Sequence, residues 1–128
     1  MGWIFSKKEL SSRQQFRDEF VTVTAKLWSA DELTQVAVGH GLNLMTTAFM
    51  QRFGDINTFS ALPQEEKNAY IKSLTKAEEG LIAKDPYAAL GIGLFKMWIG
   101  ALTADDEELI RHFSKDLALI SKKGDLSP

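Results

Sequence analysis

PYAALGIGLFKMWIGALTA, residues 86–104, carries one charged side chain, Lys96, in a chain of which 25% is charged. A second stretch, LTQVAVGHGLNLMTTAFMQ at residues 33–51, carries none. Each holds a Gly-x-Gly, Gly91/Gly93 in the first and Gly39/Gly41 in the second, with Gly100 further along the first. Both are too long for a strand, and their apolar positions cover most of a helix circumference. Helices apolar on both sides are buried on both sides. Two such helices therefore form an interior, and their glycines permit close crossing.

The remaining segments supply the cover. Ser6 reads as the N-cap of a first helix over 7–29, with Glu9 at the capping-box position. Phe16, Phe20, Val23 and Leu27 recur there at helical spacing. The second helix spans 31–53, with one apolar line through Val38, Leu42, Met45 and Phe49. Another runs through Leu33, Ala37, His40, Leu44 and Ala48, and Gly54 stops the helix. A loop over 56–62 follows, anchored by Ile56 and Phe59. Pro63, Glu65 and Glu66 open a third helix over 63–82, whose stripe is Tyr70, Leu74, Ala77 and Leu81. Asp85-Pro86 starts the fourth helix, 86–102, on which Ala89, Gly93 and Gly100 share a face suited to a close-packed backbone. Thr103 caps a fifth helix over 104–123, with the stripe Ile110, Phe113, Leu117 and Ile120 and a Gly124 stop. The expectation is all-α: one domain over 1–128, a bundle of about five helices with the second and fourth central and a short apolar arm at 1–6.

A chain of this length buries roughly two-thirds of its unfolded surface and needs no metal or disulfide to hold a core. The absence of Cys excludes a disulfide scaffold, thiolate zinc, iron–sulfur ligation and a cysteine nucleophile. It fits a reducing compartment, and the expected location is cytoplasmic. With 15 basic and 17 acidic residues interleaved, the chain offers no basic stripe for nucleic acid. A membrane hairpin of the two apolar helices is opposed by Thr34, Gln35, His40, Asn43, Thr46 and Thr47 in one. Lys96 opposes it in the other, costing about 2.5 to 3.5 kcal/mol on insertion scales.

Motifs for chemistry are few. There is no GxSxG, phosphate loop, dinucleotide fingerprint, HExxH or ExxH. His40, set between Gly39 and Gly41, is the one candidate ligand for a flat cofactor such as haem. Trp98 and the other aromatics Trp28, Phe49, Phe53, Tyr87 and Phe95 are candidate walls, with Met45, Met50 and Met97. The plainer reading makes His40 a core histidine and the aromatics ordinary packing. His112 falls on the polar side of its helix, away from His40, and Asp105 to Glu108 read as a solvated helix start. No cofactor is expected.

Three functional classes follow. The leading one is a non-enzymatic helical interaction or regulatory module that self-associates as a homodimer, because two nearly uncharged helices are hard to hide behind three others. The second is a small-molecule or haem carrier built on His40, Gly39, Gly41 and Trp98. The third is a peripheral membrane protein held by Trp3, Ile4 and Phe5 with Lys7 and Lys8 on anionic head groups. The plainer reading packs Trp3, Ile4 and Phe5 onto the bundle. Gly2 and Ser6 also fit a loose acylation pattern, against which Trp3 stands.

Overall fold

A computed structural model describes the backbone of residues 11–126 and the side chains of residues 12–120. The arm at 1–6, with Trp3, Ile4 and Phe5, and the capping pair Ser6 and Glu9 lie outside the described residues. Six helices follow in order: α1 (Ser11–Trp28), α2 (Glu32–Phe53), α3 (Ile56–Ser60), α4 (Gln64–Leu81), α5 (Pro86–Thr103) and α6 (Glu107–Leu126). There is no strand among the described residues.

Aspartates start four of these helices. Asp31 accepts hydrogen bonds from the Thr34 N–H at 2.7 Å and the Thr34 hydroxyl at 2.9 Å. Asp55 accepts from the Thr58 N–H at 2.7 Å, and Asp85 from the Ala88 N–H at 3.1 Å, with Pro86 in the first turn as expected. Asp106 accepts from the Leu109 N–H at 2.8 Å. Each satisfies an amide that the helix itself leaves without a partner. Gly54, at φ +90°, ends α2 by donating its N–H to the Met50 carbonyl at 2.9 Å.

Three boundaries differ from expectation. The 56–62 loop contains the one-and-a-half-turn helix α3, whose Phe59 is fully buried. Thr103 does not cap the last helix: it is the final residue of α5, its hydroxyl donating to the Ile99 carbonyl at 2.7 Å. Asp106 takes the capping role, so α6 begins at Glu107 and runs past Gly124 to Leu126.

The expected central pair is present as α2 and α5. Helix α5 touches every other described helix and buries residues around its circumference, including Leu94, Phe95, Met97, Ile99 and Ala101. Two apolar clusters share it. One joins Phe16 and Val23 of α1, Val38 of α2, and Ile110, Phe113 and Leu117 of α6 to Leu94, Met97 and Ala101. The other packs Phe49, Phe59, Tyr70 and Leu74 against Phe95 and Ile99. Its rings meet edge to face, with Phe49 and Phe59 centroids 5.1 Å apart and Phe59 and Tyr70 5.4 Å apart.

The crossing of α2 and α5 is a backbone contact. A methyl group on Gly41 would lie 2.8 Å from the Gly91 Cα, and one on Gly91 would lie 2.9 Å from the Gly41 Cα. Of the small residues expected to receive a backbone, Gly93 and Gly100 receive side chains instead. The Glu78 carboxylate sits over Gly93, where it pairs with Lys96 at 2.7 Å, and the Phe113 ring fills the space above Gly100. Lys96 thus has a counter-charge in a largely buried helix because an acid from α4 reaches it.

The C-terminal end of α5 has no basic residue in its own last turn. Two cations from elsewhere serve it. Lys67 of α4, 1% exposed, donates to the Thr103 carbonyl at 2.6 Å, the Ser60 carbonyl at 3.2 Å and the Asp105 carboxylate at 2.9 Å. Arg13 of α1 donates to the Ala104 carbonyl at 2.5 Å and the Ala101 carbonyl at 3.5 Å. Cations at this end complement the helix dipole and occupy carbonyls that no helical N–H can reach.

Two outcomes test this account. Gly41→Ala and Gly91→Ala each lower stability by about 1 to 3 kcal/mol in urea denaturation, because overpacking at a backbone contact outweighs alanine's helix preference. Gly80→Ala, at a helical site with nothing within 4 Å of the added methyl, is neutral or raises stability by up to about 1 kcal/mol. Lys67→Met costs about 2 to 3 kcal/mol by stranding buried carbonyls, whereas Asp105→Asn costs less than about 1 kcal/mol because that carboxylate is exposed.

Candidate functional site

Helix α2 departs from the expectation of burial on both sides. Its line through Val38 and Phe49 is buried, and Leu42 and Met45 are half-buried beside it. The second line faces outward: Leu33, His40, Leu44 and Ala48 are exposed, joined by Val36, and Ala37 is half-buried. Leu33 is 64% exposed, Val36 58% and Leu44 54%, large values for side chains of this kind on a helix with no charge between residues 33 and 51. Polar residues Asn43, Thr47 and Gln51 complete the exposed strip.

Beside this strip the α2–α5 crossing leaves a groove of about 380 Å³. Leu33, Val36, Leu44 and Met45 form one wall, and Tyr87, Ala88 and Ile92 at the start of α5 form the other. The groove follows from the glycine contact. Gly41 and Gly91 bring the helix axes together at one level, and on one side of it the side chains of both helices flare apart. Asp85 is the single charged residue of the lining, and His40 and Tyr87 are its other titratable groups.

The proposed cofactor residues do not converge. His40 is an exposed residue of the groove wall and not a core histidine. Gly39 is covered by the Trp28 ring, whose Cζ3 would lie 3.0 Å from an added methyl, and the room at Gly41 is taken by Gly91. Neither glycine therefore makes space for a flat ligand. Trp98 packs against the cluster around Phe95 and Ile99 and does not line the groove. Phe49, Phe53, Phe95 and Met97 are core or packed against it, Trp28 and Met50 are exposed, and only Tyr87 and Met45 of the aromatic and methionine set reach the groove.

His112 is exposed on α6, as expected, 3.9 Å from Asp116. Among the described residues no three acidic or histidine side chains gather in a way that could hold a metal ion. No described helix is long and apolar enough to cross a membrane.

Sequence reasoning missed Lys67 and the Arg52 stack on the second aromatic cluster. The Arg52 guanidinium lies 5.0 Å from the Phe53 ring centroid and 5.4 Å from that of Tyr70. Burial pushes the Tyr70 phenol up from its ordinary value, and the Arg52 charge opposes the rise. Asp31 and Asp55 are held below the usual carboxylate range by the Thr34 and Thr58 donors that they cap.

Comparison with protein-family models, curated proteins and solved structures yields no match to this chain.

The Tyr70 environment has a measurable consequence. A phenol whose pKa is higher folded than unfolded contributes stability that is fully present below the ordinary value near 10 and is lost as pH rises from there through the higher folded value. The urea midpoint falls as pH rises above about 10, and it falls less in Tyr70→Phe than in the parent chain.

Proposed function

We propose that this chain is a non-enzymatic interaction module that associates with a second copy of itself through the exposed face of α2. The observation that carries this reading is the uncharged strip from Leu33 to Gln51, apolar at Leu33, Val36 and Leu44 and bordered by the groove. Contiguous exposed apolar surface on a small domain is a mark of an interaction site. Any partner that covers this strip must itself be free of charge over a similar length, since a charge buried there would find no counter-charge. The chain's own α2 is a surface of that kind.

The ends of α2 favour an antiparallel pairing. Asp31 and Glu32 stand at its start and Arg52 at its end. A two-fold axis through the middle of the strip sets the acidic start of one copy beside the basic end of the other and opposes the two helix dipoles. The groove then receives side chains from the second α2.

The absence of catalytic motifs and of Cys supports the non-enzymatic and cytoplasmic parts of the reading, and the interleaved charges support a protein partner over a nucleic acid. The groove's volume also supports a second reading, a site for a small apolar molecule, since ligand pockets begin at about 300 Å³.

Sedimentation velocity distinguishes the two. The parent chain sediments as a dimer in the micromolar range, and Val36→Glu or Leu44→Glu raises the dimer Kd by about 30-fold or more, equivalent to about 2 kcal/mol, with unchanged helicity. A parent chain that stays monomeric across that range overturns self-association and leaves the small-molecule reading.

A further inference from the structure

Helices α4 and α6 each pack along α5 but hardly meet one another, and the space between them is a cleft floored by α5. It has two adjoining halves, of about 300 Å³ and 240 Å³, which share Lys96 and Asp116. Both α4 and α6 run from the first half to the second, and α5 runs against them. The halves differ in charge. Lys72, Lys96 and His112 line the first, where Asp116 is the one acid among the described residues. Glu78 and Asp116 line the second, where Lys96 is the one cation among the described residues.

Between the halves Lys96 donates to Glu78 Oε1 at 2.7 Å, with the two side chains only 14% and 23% exposed. Gly93 leaves the room that this carboxylate occupies. Stability alone does not call for such a pair, since apolar side chains of similar volume hold a position like this at equal or lower cost. An anion entering the cleft meets Glu78 and Asp116, and a cation meets Lys72 and Lys96. A molecule with opposite charges at its two ends meets a complementary group at each. Lys72 and Glu78 stand six positions apart on α4, about 9 Å along the helix. That is too far for the adjacent amino and carboxyl groups of a single amino acid, and it matches an extended peptide of about three residues. Ile71 and Phe113 in one half and Met97 and Leu119 in the other give apolar walls for its side chains. We propose that this cleft binds a short peptide of about three residues with free termini and apolar side chains. Its carboxylate lies toward Lys72 and His112, and its ammonium lies toward Glu78 and Asp116. The site stands apart from the α2 strip and does not depend on self-association.

The probe is Ala-Leu-Ala, titrated into the parent chain by calorimetry at about pH 7. It binds with a Kd below about 1 mM, and acetylating its N-terminus or amidating its C-terminus weakens binding about tenfold or more. Lys72→Met weakens the free peptide about fivefold or more but the C-terminal amide less than about twofold. Asp116→Asn discriminates in the same way between the free peptide and its N-acetyl form. Both side chains reach solvent, and unchanged helicity confirms that the variants fold. Val36→Glu, on the α2 strip, binds the peptide as the parent does. A parent chain that takes up no peptide at about 10 mM overturns the proposal. So do blocked peptides that bind as tightly as the free one, and affinities unmoved by both Lys72→Met and Asp116→Asn. Each of these results leaves the self-association reading as it was.

Discussion

The contact between Gly41 and Gly91 governs the arrangement of everything else. Two helices whose backbones meet cannot be set at the 8 to 10 Å separation typical of side-chain packing, so α5 is drawn against α2 at one level. That leaves the lower half of α2 free to place Phe49 and Phe53 on Phe59, Tyr70 and Phe95. On the opposite side of the crossing it opens the groove between Leu44 and Ile92. One steric constraint thus produces both the aromatic cluster of the core and an apolar face that the chain does not cover with its own described helices.

The second organising element is electrostatic. A helix as apolar as α5 carries little that could serve its own C-terminal carbonyls, and solvent is excluded from Thr103. Lys67 and Arg13 bring charge to that point from two other helices, and the Gln64 side-chain Oε1 accepts from the Asp105 N–H at 2.9 Å just beyond it. Halfway along the helix the Glu78–Lys96 pair plays a similar part for a cation that an apolar environment would otherwise penalise. The polar groups that Lys67, Arg13 and Glu78 bring to α5 fall where that helix would otherwise end or bury a charge unaided.

Features encoded by neighbours in sequence were legible in advance. Asp85-Pro86 and Gly54 obey local rules of capping and turn chemistry, and the stripes Phe16/Val23 and Ile110/Phe113/Leu117 follow from helical spacing alone. What escaped depends on residues distant in the chain. Lys67 looks like any solvated lysine until Thr103, 36 residues away, is placed beside it, and Arg13 differs from its neighbours only through carbonyls near residue 101. The outer line of α2 was misread for another reason. Apolar composition says that a face avoids water but not whether the chain's own helices or another molecule keeps it dry. His40 illustrates the point, since the periodicity that groups it with Leu33 and Leu44 is the same whether that face meets the core or water.

Arg13 and its acceptors at Ala101 and Ala104 stand 88 and 91 positions apart. During synthesis the first described helix must therefore wait, its Phe16 and Val23 uncovered, until the fifth and sixth have emerged. Truncation within the final helix strips Ile110, Phe113 and Leu117 from the cluster that holds α1, so an incomplete product exposes apolar side chains from both ends of the sequence and is vulnerable to aggregation and quality control before it acquires any stable form.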